Sequence, residues 1–290
     1  MKRIYFVIPK KKWGTCYLRG VQIQRALRST GIDCRLILSK HFDRCKNGIV
    51  IFVKSCSPEM ASRAIAQRNR IIWDILDGYD ELIIQQMAAS ITLDGLITST
   101  AASEPILSCL KPIEKALIYH HIDPRLVKKM KEKPKTDNFS LCYIGNVPSE
   151  IDGRSFAETF SEVKCVEVDT RHAKRAGWMR IAAPFRCHFA VRLDQRECTM
   201  KPLAKVGVAA ACNANIIVNR SNAAVELLGA DYPFLCDDSI EDALRTIERA
   251  RSEFNGTIWR AGLERMSQLR ERLSIEKSVE EYCSFLSRFT

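Results

Sequence analysis

The residues with the most evident chemistry lie between Met200 and Asp238. Lys201 and Lys205 stand one helical turn apart, so both ammonium groups can point the same way. The run from Val206 to Cys212 carries little bulk, which suits a helix packed close to a sheet. Asn215-Ile-Ile-Val218 is too short for a helix and reads as a buried strand. Asn219, Arg220, Ser221 and Asn222 form a polar, cap-rich turn, and Ala223 to Leu228 reads as helix. A helix start at the end of a parallel strand favours an anion, through its free N–H groups and its dipole. Two lysines, an arginine and such a helix start suit a diphosphate. The same residue types also occur in α/β turns that bind nothing, where lysine is a solvated charge.

Positioning such a site takes a parallel sheet, and the rest of the chain supplies the pattern for one. Short apolar runs recur at Arg3–Pro9, Cys34–Leu38, Gly48–Val53, Arg70–Asp74, Asp94–Thr98 and Lys115–His120. Helical segments alternate with them at Leu18–Thr30, Pro58–Gln67, Glu81–Ser90 and Ala102–Leu110. Strand and helix in alternation argue for a parallel sheet covered on both faces. A charged stretch with Pro124 and Pro134 follows, and 123–138 reads as a linker. The pattern then restarts with the strand Leu141-Cys-Tyr-Ile144, which runs into Gly145 and Asn146. A helix at Gly153–Phe160 and strands at Cys165–Val168 and Cys187–Val191 follow. Ser239–Asn255 and the tail to Thr290 read as helices. The expected fold is α/β, with two Rossmann-like domains facing each other across a cleft. Their bounds are 1–122 and 139–272, and 273–290 is a helix returning to the first domain.

Composition narrows the function classes. The chain has 290 residues, 46% of them hydrophobic and 27% charged, as in ordinary globular proteins. No apolar run approaches the ~20 residues needed to span a bilayer. The opening Ile4–Pro9 run reads as a first strand and not a signal peptide, so a cytoplasmic location is expected. The twelve cysteines lack the paired short spacings of a zinc site and are expected to stay reduced. A net charge of +11 points to an anionic partner. Basic clusters at 10–12 and 128–135 suit an anionic membrane face. No nucleic-acid module is present, so nucleic acid is not expected as a partner. No G-x-G-x-x-G follows the first strand and there is no P-loop, which disfavours dinucleotide cofactors and P-loop chemistry.

Four segments together carry a family likeness. Asp94-Gly-Leu-Ile-Thr-Ser-Thr100 is similar to an "a-D-x-v-i-t-x-S" strand. Ala116-Leu-Ile-Tyr-His-His-Ile-Asp123 is similar to "v-i-x-N-G-v-D". Leu141-Cys-Tyr-Ile-Gly145 is similar to the strand and glycine that open a second domain. Lys201-Pro-Leu-Ala-Lys205, with Ala209–Cys212, Ile216–Val218 and Val225-Glu226, is similar to a "K-P-x-x-K … A-x-x-A-G-x-P-v-i … E" donor block. The chain thereby resembles GT-B glycosyltransferases, in particular the bacterial retaining enzymes (glycosyltransferase family 4-like) of surface polysaccharide synthesis. It departs from them at His120-His121, and at Met200 and Val208, where the family carries a pair of glutamates. Asn213 and Asn215 replace a glycine and a proline.

The resemblance implies transfer of a sugar from a nucleoside-diphosphate or monophosphate donor to an acceptor hydroxyl. The donor is a substrate, and no cofactor is implied. The acceptor would be a glycan or a lipid-linked molecule. Lys201, Lys205 and Arg192 would stabilise the leaving diphosphate without a metal, helped by N–H groups near Ser221 and Asn222. Asn219 belongs to the same turn, and Gly145 and Asn146 end the facing strand. Glu226 would reach the nucleotide ribose; it also reads as a surface helix residue. Gly14 and Thr15 follow the first strand, where glycine lets the backbone approach a sugar or phosphate; they also read as an ordinary turn. Asp74 and Asp77 are acceptor-side candidates, one of them as base; Asp74 reads first as a cap or turn residue. A non-catalytic two-lobed protein that binds a phosphorylated or acidic ligand is the alternative reading.

Overall fold

The computed structural model describes residues 2–10, 14–76, 81–112, 114–130, 137–151, 153–168, 177–192 and 203–289. These fall into two compact units. The first holds the described residues up to His121 and those from Ile275 on, and the second holds those between Ile122 and Ser274.

The first unit is built on six parallel strands: β1 (Ile4–Ile8), β2 (Cys34–Leu38), β3 (Ile49–Val53), β4 (Arg70–Asp74), β5 (Gly95–Thr98) and β6 (Glu114–Leu117). Their order is β2-β1-β3-β4-β5-β6. Ile4 pairs with Cys34 on one side and Ile49 on the other, so the sheet reverses direction of growth beside β1. β1 and β3 are apolar and buried at every position, as strands covered on both faces must be. Edge strand β6 alternates half-buried and exposed residues.

Helices are numbered along the whole chain: α1 (Ile23–Ser29), α2 (Pro58–Ala66), α3 (Glu81–Ser90) and α4 (Glu104–Leu107) lie in this unit. The last helix, α12 (Ile275–Leu286), packs on α1. α2 starts where its sequence says it should: Ser57 Oγ accepts from the Met60 N–H, and Pro58 occupies the first turn. One face of the sheet buries Val7, Phe52, Trp73 and Leu96 in a single core. Alternation sends the neighbouring side chains, among them Phe6, Ile72 and Asp74, to the opposite face. On that face the Phe6 ring lies 6.1 Å from the Tyr282 ring of α12.

The second unit holds a five-stranded parallel sheet of order β10-β7-β11-β12-β13. Its strands are β7 (Leu141–Gly145), β10 (Lys164–Glu167), β11 (Cys187–Phe189), β12 (Asn215–Asn219) and β13 (Leu235–Cys236). A small antiparallel pair, β8 (Glu150–Ile151) with β9 (Arg154–Ser155), lies between β7 and β10. The helices are α5 (Pro124–Met130), α6 (Phe156–Thr159), α7 (Gly177–Ala182), α8 (Ala204–Ala211), α9 (Asn222–Leu228), α10 (Ile240–Ser252) and α11 (Thr257–Arg272). The chain passes from β7 out to β10 and returns to β11 on the other side of β7. The carboxyl ends of β7 and β11 therefore flank the switch point, where ligands of open α/β sheets bind.

Two expectations are corrected here. The stretch 123–138 contains helix α5, which buries Leu126 and packs on α7 and α8 within the second unit. Helix does not begin at Gly153: the β8–β9 hairpin takes that place, and α6 starts at Phe156.

Candidate functional site

Of the expected donor-site residues, Gly145, Asn146, Arg192, Lys205 and Asn219 lie at the carboxyl ends of β7, β11 and β12 in the second unit. β7 ends at Gly145, whose φ of +138° suits only glycine. Asn146 follows, and its carbonyl accepts a 3.0 Å hydrogen bond from Tyr143 Oη. Beyond β11 comes Arg192, exposed at its side chain, with its backbone N–H donating to Asn219 Oδ1 at 2.6 Å. Asn219 Nδ2 donates to Asp238 Oδ1 at 2.7 Å. Asn219 is buried and ties the ends of β11 and β12 to the segment after β13. Both ends of its amide are engaged, so it positions the strand ends and does not itself face a phosphate.

Lys205 lies in the first turn of α8 and reaches back over the end of β7. Its Nζ sits 3.4 Å from the centroid of the Tyr143 ring. A side chain at Gly145 would meet Lys205 Cε at 3.5 Å and Nζ at 3.8 Å. The residue is half-buried overall, yet the Nζ itself is buried and has no hydrogen-bond partner among the described residues. Burial, reinforced by the Arg192 cation, brings the Lys205 pKa down to about 7. A buried ammonium that faces only a ring is expensive unless an anion joins it. A phosphate oxygen would supply the missing hydrogen bond and restore the ordinary charge state.

Ser221 caps α9: its Oγ accepts from the Ala224 N–H at 3.2 Å, and its own N–H donates to Asn219 O at 2.8 Å. The expectation that Ser221 N–H faces a phosphate is therefore corrected, because the capping turn already engages it. Asn222 is exposed at the first position of α9, and Glu226 is half-buried one turn further on. Lys201 lies outside the described residues.

The first unit places its candidates differently. Asp74 ends β4 on the face covered by α12 and the helical turns ahead of α1. Its carboxylate is fully buried. Arg19 donates to it through Nε at 3.1 Å and Nη2 at 2.8 Å, and Tyr282 Oη donates at 2.6 Å. Arg19 Nη1 in turn donates to the carbonyls of Ile118 and Tyr119, each at 2.9 Å. Asp74 is thus corrected from a candidate base to the centre of a closed ion-pair network. Asp77 lies outside the described residues. Gly14 and Thr15 are helical, not an open turn, and lead into a π-helical segment, Cys16–Gln22. Gly20 lets that segment press on β1: a side chain there would lie 2.5 Å from Ile8. His121 is buried with Nε2 3.0 Å from Gln22 Oε1. Burial holds its imidazole neutral, with His120 and Arg19 adding to the effect.

Sequence reasoning missed Tyr143, Arg19 and Tyr282. Tyr143 had a signal: an aromatic two places before the glycine that ends a strand shares that glycine's face. Arg19 and Tyr282 had none, since 55 and 208 positions separate them from Asp74. Among the described residues, no group of three or more His, Cys, Asp or Glu could hold a metal, and no helix is long and apolar enough to cross a membrane.

No protein-family model matches the sequence, and no curated protein does. Solved structures do match in shape. Anabaena HepE in complex with UDP and glucose superposes with a TM-score of 0.69 at 11% identity, over 99% of this chain and 100% of that one. A glycosyltransferase from Rickettsia africae gives 0.71 at 10% identity, over 99% and 98%. Sucrose-phosphate synthase from Thermosynechococcus elongatus gives 0.68 at 12%, over 100% and 99%. At such identities the likeness shows the fold: a GT-B chain of two Rossmann-like domains, as the sequence resemblance implied.

Proposed function

We propose that this GT-B chain is a glycosyltransferase that moves a sugar from a nucleoside-diphosphate donor to an acceptor hydroxyl. One observation carries the reading. A buried lysine ammonium, without a hydrogen-bond partner among the described residues, stands at the carboxyl ends of β7 and β11 in that fold. Breaking a glycosyl–phosphate bond leaves growing negative charge on the diphosphate. A fixed cation in a site poor in water stabilises that charge strongly. Lys205 is assigned this role, with Arg192 and Lys201 as further cations and the start of α9 near Asn222 as a donor of N–H groups. Glu226 is assigned to the ribose. Asp77 remains the acceptor-side candidate. The reading assigns leaving-group stabilisation to these fixed cations without a metal. The acceptor would be a glycan or lipid-linked hydroxyl of bacterial surface polysaccharide synthesis, reached from the cytoplasmic side.

HepE was captured with UDP, so UDP is the first nucleotide to try. A thermal-shift panel of UDP, GDP, CMP, ADP and dTDP tests donor binding. A ligand at ~100 times its dissociation constant adds about 2.7 kcal/mol of stability. Turnover of the matching nucleotide sugar then tests transfer. Nucleotide binding with no turnover against any acceptor or water would favour a non-catalytic binding protein. Sedimentation with anionic vesicles at low salt tests membrane contact, and failure to bind them would remove that part of the proposal.

A further inference from the structure

The ammonium of Lys205 has to be held somewhere before a donor arrives, and lysine is a flexible side chain with a large rotamer entropy. What faces it is the ring of Tyr143, with Nζ 3.4 Å from the centroid. That ring is itself fixed at three places. Its backbone lies in β7, paired on both sides by β10 and β11. Its Oη donates to the Asn146 carbonyl just past the strand end. The Phe156 ring packs against it edge-on, centroids 5.4 Å apart, and Phe156 in turn meets the Phe160 and Phe189 rings at steep angles. Gly145 leaves the space between ring and lysine open. A rigid aromatic anchored in the core thus presents its negative face to a buried cation, and cation–π attraction is strongest where water is excluded.

We infer that Tyr143 is the positioning residue for Lys205, holding the ammonium aimed at the diphosphate before the donor binds. This rests on the functional reading above. The aromatic face carries the effect, and the hydroxyl only trims the ring's orientation. The arrangement also explains how a buried cation is tolerated with no carboxylate beside it among the described residues. A carboxylate would hold the lysine as well but would compete with the phosphate; a ring attracts the cation and leaves its hydrogen-bond donors open.

The test is a double-mutant cycle read by calorimetric titration with the panel nucleotide that shifts melting most, and with inorganic pyrophosphate. Tyr143→Phe should bind within about twofold of the parent. Tyr143→Leu should bind roughly 2- to 30-fold more weakly, the range expected for a cation–π contact. In a Lys205→Met background, Tyr143→Leu should change affinity little, because its effect runs through the lysine. A loss that persists undiminished in the Lys205→Met background would show general damage to the unit and overturn the inference. So would a Tyr143→Leu protein that binds like the parent, or Tyr143→Phe as weak as Tyr143→Leu. Should Tyr143→Leu fail to fold, Tyr143→Met replaces it in the same cycle. A parent that binds neither nucleotide nor pyrophosphate would instead overturn the functional reading, and with it phosphate as the partner Lys205 awaits.

Discussion

Arg19 and Lys205 each bury a cationic group at a strand end, one in each unit, and they are treated in opposite ways. Arg19 is fully buried and fully answered: a carboxylate takes two of its nitrogens and two backbone carbonyls the third. Burial by itself would lower its pKa, but Asp74 more than offsets that, and the guanidinium is held more firmly charged than in water. Tyr282 completes the carboxylate's shell. Lys205 has a ring beside it and nothing accepting its protons among the described residues, and its pKa falls to about 7. A buried charge with every nitrogen hydrogen-bonded belongs to the structure. One with bonds left open is a place for a ligand.

The largest expected effect comes from breaking the closed network. Asp74→Ala leaves Arg19 buried and unpaired and should lower unfolding free energy by about 3–5 kcal/mol. Urea denaturation reads this directly. A loss below ~1 kcal/mol would mean the pair is open to water. Replacing both partners together, as Arg19→Met with Asp74→Leu, should recover most of the loss.

Lys205→Met should behave in the opposite sense. Stability should stay level or rise, because an unpaired buried charge is removed. Nucleotide affinity should fall about tenfold to a hundredfold, as expected for a lost hydrogen bond to a charged group at ~1.5–3 kcal/mol. Lys128→Ala, in the last turn of α5, serves as a control and should leave affinity alone. Parent-like binding by Lys205→Met would place the donor site elsewhere.

Next in size is Gly145→Ala. The backbone φ of +138° is one that side chains rarely adopt, and the substitution should cost about 1–3 kcal/mol. Equal stability to the parent would show that the strand end relaxes freely.

A fourth effect is in pH. Unfolded, Lys205 keeps its proton to about 10.5; folded, it releases it near pH 7. Between these values the unfolded chain binds more protons, so the stability of the ligand-free protein should rise with pH relative to Lys205→Met. Of the groups around the amine, burial keeps the Tyr143 phenol from ionising early. Identical pH profiles for parent and variant would mean the ammonium is solvated.

The fold was legible because its signals are local. Runs such as Ile49–Val53 are apolar at every position, and a run with no polar face must be covered on both sides. The cluster at the strand ends of the second unit was half legible: Gly145 and Asn219 end strands β7 and β12, and Lys205 stands in the first turn of helix α8. Asp74 misled because its position along the strand was readable while the cover on its face was not. That cover comes from Arg19 and Tyr282, and neither helix announces in its own sequence which strand it will meet. Ser221 was read as an open donor because a cap and an anion site share the same residue types. The β8–β9 hairpin escaped because four paired residues give no periodicity to detect.

The bond between Tyr282 and Asp74 also bears on how the protein is made. The two residues are 208 positions apart, and the helix carrying Tyr282 belongs to the unit that begins the chain. During synthesis at ~5–20 residues per second, Asp74 leaves the ribosome roughly 10–40 s before its tyrosine does. All the strands and helices of the second unit emerge in that interval. The first unit to begin folding is therefore the last to be finished, and it waits for the second to be made before its buried charge is sealed.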